Sequence, residues 1–253
     1  MNGFPNSATD AELEARAKEL LSGTPKEPTS LSAEFRISFL QSYYTIDGIV
    51  CGNALYRLDL FNSFLDETAL RKPDEWIEYN KSHHNDFVVA PAHLQFCMLK
   101  ALYENREGPF KARIETLRTG LLRQCLEMWV ATSTRILYSA SGRDEIIHDY
   151  NVPGHQIGAI NLKGNDDFLR NVPDEITQKI IGCDSKTANE VACWISGKGA
   201  YLWRRDTVGE RTVTIGAYKC ADRLGVTIGE SLDLSSRAFG IHVVSKRPIG
   251  GAQ

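Results

Sequence analysis

The sequence predicts an α+β fold: a helical N-terminal region followed by a mixed region whose strands form a small antiparallel sheet. Three observations carry this. Up to about residue 128, apolar side chains recur every three or four positions, the spacing of a helix stripe. Near Trp129 the pattern changes to short runs rich in β-branched and aromatic residues. Towards the C-terminus two runs alternate cleanly. Val213, Ile215 and Ala217 share one face of the first, and Leu224, Val226 and Ile228 share one face of the second.

Thr9-Asp-Ala-Glu12 has the form of a capping box opening a helix that closes near Gly23, and residues 24–30 read as linker. A helix over Ala33–Tyr44 follows from the spacing of Phe35, Phe39, Leu40 and Tyr43. Pro73, Pro91 and Pro109 each introduce a further helix, because proline is favoured in the first turn, where its missing N–H is not needed. These helices carry Trp76 and Tyr79; Leu94, Met98, Leu99 and Leu102; and Phe110, Ile114, Leu117, Leu121, Cys125 and Met128. Next come a hairpin of Thr132–Tyr138 with Glu145–Tyr150, a third strand over Gln156–Leu162, and helices bounded by Pro173/Gly182 and Asp184/Gly197. Tyr201-Leu-Trp-Arg204 opens the last set of strands. The expected organisation is 1–30 helix and linker, 31–128 helical region and 129–253 a mixed domain of strands and helices.

With 253 residues the chain is long enough to bury a sizeable core. A net charge of −3 argues against a nucleic-acid partner, which calls for a basic stripe. No apolar run is long enough to span a bilayer, and Met1–Ser7 lacks a secretory pattern, so the default expectation is the cytoplasm, without a membrane partner. A virion-associated or surface-displayed protein is the other localisation considered. The cysteines at 51, 97, 125, 183, 193 and 220 contain no C-x-x-C pair, which reads as reduced, buried thiols rather than a zinc or redox motif.

Catalytic signals are weak. His83-His84-Asn85-Asp86 lacks companion metal ligands and reads as a polar loop before Phe87-Val-Val89. Glu145, His148 and Asp149 with Arg135 would form an acid–base cluster, but strand alternation sets His148 on the face opposite Glu145 and Asp149. There is no G-x-S-x-G, and Gly197-Lys-Gly199 lacks the context of a phosphate loop. No catalytic residue, metal or cofactor is assigned. Trp203 and Arg205 share one face of a short strand as a stacking and hydrogen-bonding pair. The outward set of the alternating strands, Tyr218, Arg223 and Thr227, is chemically mixed, as a binding face would be.

Trp194-Ile-Ser-Gly197, Tyr201-Leu-Trp-Arg204, Glu210-Arg211 and Ser236-Arg-Ala-Phe-Gly-Ile-His-Val-Val244 together resemble the C-type-lectin-like fold of the formylglycine-generating-enzyme type. Within it, Thr134–Tyr138, Ile146–Tyr150 and the Tyr-Leu-Trp-Arg run resemble the variable proteins of diversity-generating retroelements, with His242 where an arginine is usual. The resemblance covers the chain from Trp129 onward. It implies a C-type-lectin-like mixed α/β domain and a non-enzymatic, receptor-like protein, with a diversified or fixed binding face for a protein or glycan ligand. The positions it implies are Tyr218, Asp222, Arg223, Thr227, Glu230, Ser231, Asp233, Ser235, Ser236 and Arg237. Two alternatives stand beside this reading. One is a virion or assembly protein that forms homo-oligomers through the helical region. The other is a cysteine oxidase of the formylglycine-generating kind, for which Cys193 and Cys220 are the late cysteines.

Overall fold

The computed structural model describes residues 34–66, 69–83, 86–127, 129–148, 156–162, 164–204, 208–218, 223–230 and 232–249, all of them in the unit Ala33–Gln253. The helix expected from Thr9 and its linker lie outside the described residues. The first described segment corrects the fold class. It is a meander of β1 (Arg36–Leu40), β2 (Tyr43–Cys51) and β3 (Ala54–Phe64), not a helix over Ala33–Tyr44. The helical spacing of Phe35, Phe39 and Tyr43 is coincidental, because the buried residues Phe35 and Ile37 follow a period of two while Phe39 and Leu40 are exposed. Two-residue turns close both hairpins, at Gln41-Ser42 between Leu40 and Tyr43, and at Gly52-Asn53 between Cys51 and Ala54.

The sheet is not small either. Twelve strands among the described residues join into one mixed sheet, so a helical region followed by a C-type-lectin-like domain with a small antiparallel sheet does not describe this chain. The main path runs β1-β2-β3-β12-β5-β10-β11-β9-β8, where β5 is Val130–Tyr138, β8 Asp167–Phe168, β9 Tyr201–Trp203, β10 Gly209–Tyr218, β11 Arg223–Glu230 and β12 Arg237–Pro248. Three strands lie off that path: β4 (Val88–Val89) on β12, β6 (Asp144–Ile147) on β5, and β7 (Gln156–Ile160) on β6. The last long strand ties the first three to the rest. Arg237 and Ala238 of β12 pair in parallel with Val130 and Ala131, and the stretch from Phe239 on pairs antiparallel with β3.

Register assigns the faces. Val130, Ile215, Val226 and Leu202 lie in one row across β5, β10, β11 and β9, and all are buried. Above this face lie α2 (Ala92–Glu104), α3 (Lys111–Glu127), α4 (Asp174–Ile181) and α5 (Ser185–Ser196). Phe96, Met98, Leu102 and Ile114 are fully enclosed in the core these helices form with the sheet. Another helix, α1 (Pro73–Ser82), packs on β4 and β5, where Trp76 joins Val89, Ala131 and Ala238 in a separate cluster. Ala131 follows Val130 along the strand, so α1 covers the opposite face of the sheet.

The helix ends follow the chemistry read from sequence. Gly182 and Gly197 close α4 and α5 in the left-handed conformation. Asp184 caps α5: Thr187 donates its N–H to Oδ1 at 2.8 Å and its hydroxyl to Oδ2 at 2.8 Å. α2 has no side-chain cap of its own, and the Ala92 N–H donates instead to Thr134 Oγ1 of β5 at 2.9 Å. The Asp184 cap has a pH signature. The Thr187 N–H above all, and then its hydroxyl, hold the Asp184 carboxyl below its ordinary value. A depressed folded value means that the cap's contribution is complete at neutral pH and is lost as pH falls through that value. Asp184→Ala is expected to lose about 1 kcal/mol at neutral pH, a typical N-cap value. Urea titrations across the acid range should show this deficit vanish below the carboxylate range; a pH-independent deficit would assign the effect to packing.

Candidate functional site

On the face opposite the main core, beyond α1, the sheet ends in a shelf of half-buried aromatic rings. Tyr201 and Trp203 are two residues apart on β9 and therefore point the same way. Their rings lie 5.0 Å apart between centroids. Trp129, just before β5, meets Trp203 edge-on at 5.5 Å. Phe168 of β8 meets Tyr201 edge-on at 5.3 Å, and the Arg170 guanidinium sits 5.2 Å from the Phe168 ring centre. The rings of Trp129, Trp203, Tyr201 and Phe168 thus run continuously from the start of β5 to the outer edge strand.

A lane without side chains makes room for them. Register sets Gly216 beside Gly225, and Gly225 beside Tyr201. A Cβ on Gly225 would overlap the six-membered ring of Trp203 and come within 3.0 Å of Trp129 Cη2. Gly225→Ala is therefore expected to push Trp203 off the sheet and to destabilise by about 1–3 kcal/mol through overpacking. Near-UV circular dichroism reports the coupled indoles directly. An unchanged spectrum with unchanged stability would show that the rings do not rest on Gly225.

Some of the sequence-predicted positions meet on this shelf and others do not. Thr227 pairs with Trp203 across β11 and β9 and with Thr214 across β10. Tyr218 and Arg223 pair with each other, and Glu230 pairs with Thr212, in rows of the same parity as Thr214–Thr227–Trp203. The side chains of Tyr218, Arg223 and Glu230, like all of Arg205, Asp222 and Ser231, lie outside the described residues. Arg237 belongs to the other face. It is in register with Val130, and its guanidinium packs 5.0 Å from the centre of the Phe64 ring. Ser236 is buried and its backbone pairs with Arg71, exposed Asp233 lies 3.8 Å from Lys72 at the start of α1, and Ser235 is exposed on the same segment. Sequence patterns miss Tyr201, Trp129, Phe168 and Arg170 as site residues. Tyr201 is recoverable from its two-residue offset to Trp203, whereas the other three reach the shelf only through strand pairing and chain path.

The described residues of the sites weighed for chemistry are engaged in hydrogen bonds, ion pairs and ring contacts. His148 is buried, with Nδ1 2.9 Å from Thr134 Oγ1 and Nε2 2.7 Å from the Lys179 carbonyl. A carbonyl only accepts, so Nε2 carries a proton and donates to it. Arg135 is buried on the α1 side and pairs with Asp74 of α1 and Glu210 of β10, so its charge is engaged away from His148. Asp149, His84 and Cys220 lie outside the described residues. His83 ends α1, stacked on Tyr79 with a 4.0 Å centroid separation. Gly197 of the Gly-Lys-Gly run is a helix cap. Among the described residues no group of three histidine, cysteine or acidic side chains converges as a metal site would require.

The described cysteines are free thiols, four of them buried and Cys193 half-buried. Burial pushes the Cys125 and Cys183 thiols up to about 12. A hydrogen bond with Cys97 lowers Cys51, with the Lys246 and Lys100 ammonium groups assisting, and the same bond raises Cys97.

No protein-family profile, curated protein sequence or solved structure matches this chain. No described helix is long and apolar enough to cross a membrane.

Proposed function

We propose that this chain is a non-enzymatic, receptor-like binding protein that engages a protein or glycan surface through the aromatic shelf of its C-terminal strands. The observation that carries this is the row Thr214–Thr227–Trp203, beside which Trp129, Tyr201 and Phe168 form a continuous ring surface held on a rigid sheet. Half-buried aromatic side chains fixed by packing make good contact surfaces, because little conformational entropy remains to be lost on binding. Mounting them on strands lets neighbouring positions such as Tyr218 and Arg223 vary without moving the backbone. The sequence resemblance to retroelement variable proteins bears on the binding face alone, because the small-sheet, C-type-lectin-like fold it implies is not the fold of this chain. It leads to a direct check: a near-copy of the DNA encoding residues 212–244, differing at adenines and lying beside a reverse transcriptase, would make this face a diversified one.

The test of binding uses the intact chain on a glycan array and on a display of surface proteins, in parallel with Trp203→Ala and Tyr201→Ala. A ligand whose affinity drops about tenfold or more in both variants is the expected result, tenfold corresponding to about 1.4 kcal/mol. Ligands that bind parent and variants equally would remove the shelf from consideration.

A further inference from the structure

A second site stands independently of the aromatic shelf. A cleft of about 710 Å³ opens between the β2–β3 turn and the corner joining α4 to α5. That volume suits a small organic molecule. The turn contributes Cys51, Gly52 and Asn53, and Tyr56 follows on β3. His93 and Lys100, seven residues apart on α2, share a helix face and line the cleft together. Lys179 comes from α4, and Lys246 comes from β12, where it pairs with Tyr56 and holds its ammonium 5.5 Å from that ring.

The charge balance of the lining points to the ligand. The chain as a whole is acidic, with net charge −3, yet Lys100, Lys179 and Lys246 all line this cleft. Among the described lining residues Asp184 is the one carboxylate, and both of its oxygens are engaged by Thr187 in capping α5. Lys100 and Lys179 have helix-surface partners, Glu104 at 3.7 Å and Glu175 at 3.2 Å, and neither glutamate is among the described lining residues. The fields of Lys246 and Lys100 both reach the Cys51 thiol and favour its negative form. A concave site lined by one sign of charge concentrates the opposite charge.

We propose that this cleft binds a small organic anion, its phosphate or carboxylate group held among Lys100, Lys179 and Lys246. Inorganic phosphate, added at constant ionic strength, is the probe for the anionic end. In protein with isotopically labelled histidines, the imidazole signals of His93 are expected to shift saturably while those of His83 and His242, which do not line the cleft, stay in place. Lys100→Met/Lys246→Met should weaken the apparent phosphate affinity by about tenfold or more, as loss of charge-assisted hydrogen bonds predicts. Lys100→Arg/Lys246→Arg should restore most of it, and this pair also controls for folding because it keeps the charge. Failure of phosphate to give a saturable His93 shift overturns the proposal, as does a shift that persists undiminished in the methionine pair. Neither result bears on the aromatic shelf, whose test uses different residues and ligands.

Discussion

Replacing Trp76 with alanine is expected to destabilise the protein by about 4 kcal/mol, within the range for a buried aromatic residue. Its ring is 2% exposed and fills the space between α1 and the sheet, against Val89, Ala131 and Ala238. Its indole N–H donates to the Ser236 carbonyl at 3.1 Å, and the Arg71 guanidinium lies 4.9 Å from the ring centre. Alanine would leave a cavity and a buried carbonyl without its donor. Trp76→Phe retains most of the packing and loses the hydrogen bond, so about 1–2 kcal/mol is expected from that variant. The α1 face is a small cluster separate from the main core, so Trp76→Ala should release α1 and β4 first. Hydrogen exchange should then show lost protection over 73–82 and 88–89 while α2 stays protected. A loss below about 1 kcal/mol in urea unfolding, well under the usual cost of such a truncation, would mean that other contacts hold α1. The Asn80 amide, which bonds both the N–H and the carbonyl of Val89, and the Arg135–Asp74 pair would then carry the attachment.

Gly48→Ala comes next, with an expected loss of about 3 kcal/mol from backbone strain and clash together. The residue sits at the irregularity where the pairing of β2 with β3 slips between Asp47 and Ile49. Its φ of 83° lies in the left-handed region, which costs a residue with a Cβ roughly 1–2 kcal/mol. An added Cβ would also stand 2.8 Å from Phe35 Cα, which is backbone and cannot rotate away. Relief would require the start of β1 to move, disturbing the edge-on contact of Phe35 with Phe110 just before α3. Equilibrium unfolding measures the loss. A variant as stable as the parent would show that the β1–β2 hairpin shifts freely at this point.

The helices after Pro73, Pro91, Pro109, Pro173 and Asp184 are legible in the sequence because each carries its own start signal and an apolar stripe, both local properties. The alternating strands after residue 209 are legible for the same reason. The stretch around Phe35 and Tyr43 misleads because its apolar residues satisfy a helical spacing as well as a strand one. The turn chemistry that decides between them is present: Gly52-Asn53 between two runs rich in β-branched and aromatic residues is a hairpin signal. Of the candidate site, Trp203 and Thr227 are readable from period two alone. Arg237 groups with them by its position in the chain, yet the parallel pairing of β12 with β5 puts it on the core face.

Local sequence is enough to set where most helices start and stop and which residues of β10 and β11 face inward. These are short-range matters, governed by backbone sterics, capping and the burial of apolar side chains within about a dozen residues. The folded arrangement is needed to learn that among the described residues one twelve-stranded sheet runs through both halves, that Trp129 and Phe168 meet the rings of β9, and that Lys100, Lys179 and Lys246 line one cleft. Those facts depend on which strands pair across long loops. Pairing is selected by how the whole core packs, and a linear pattern with a period of two or 3.6 residues contains no record of it.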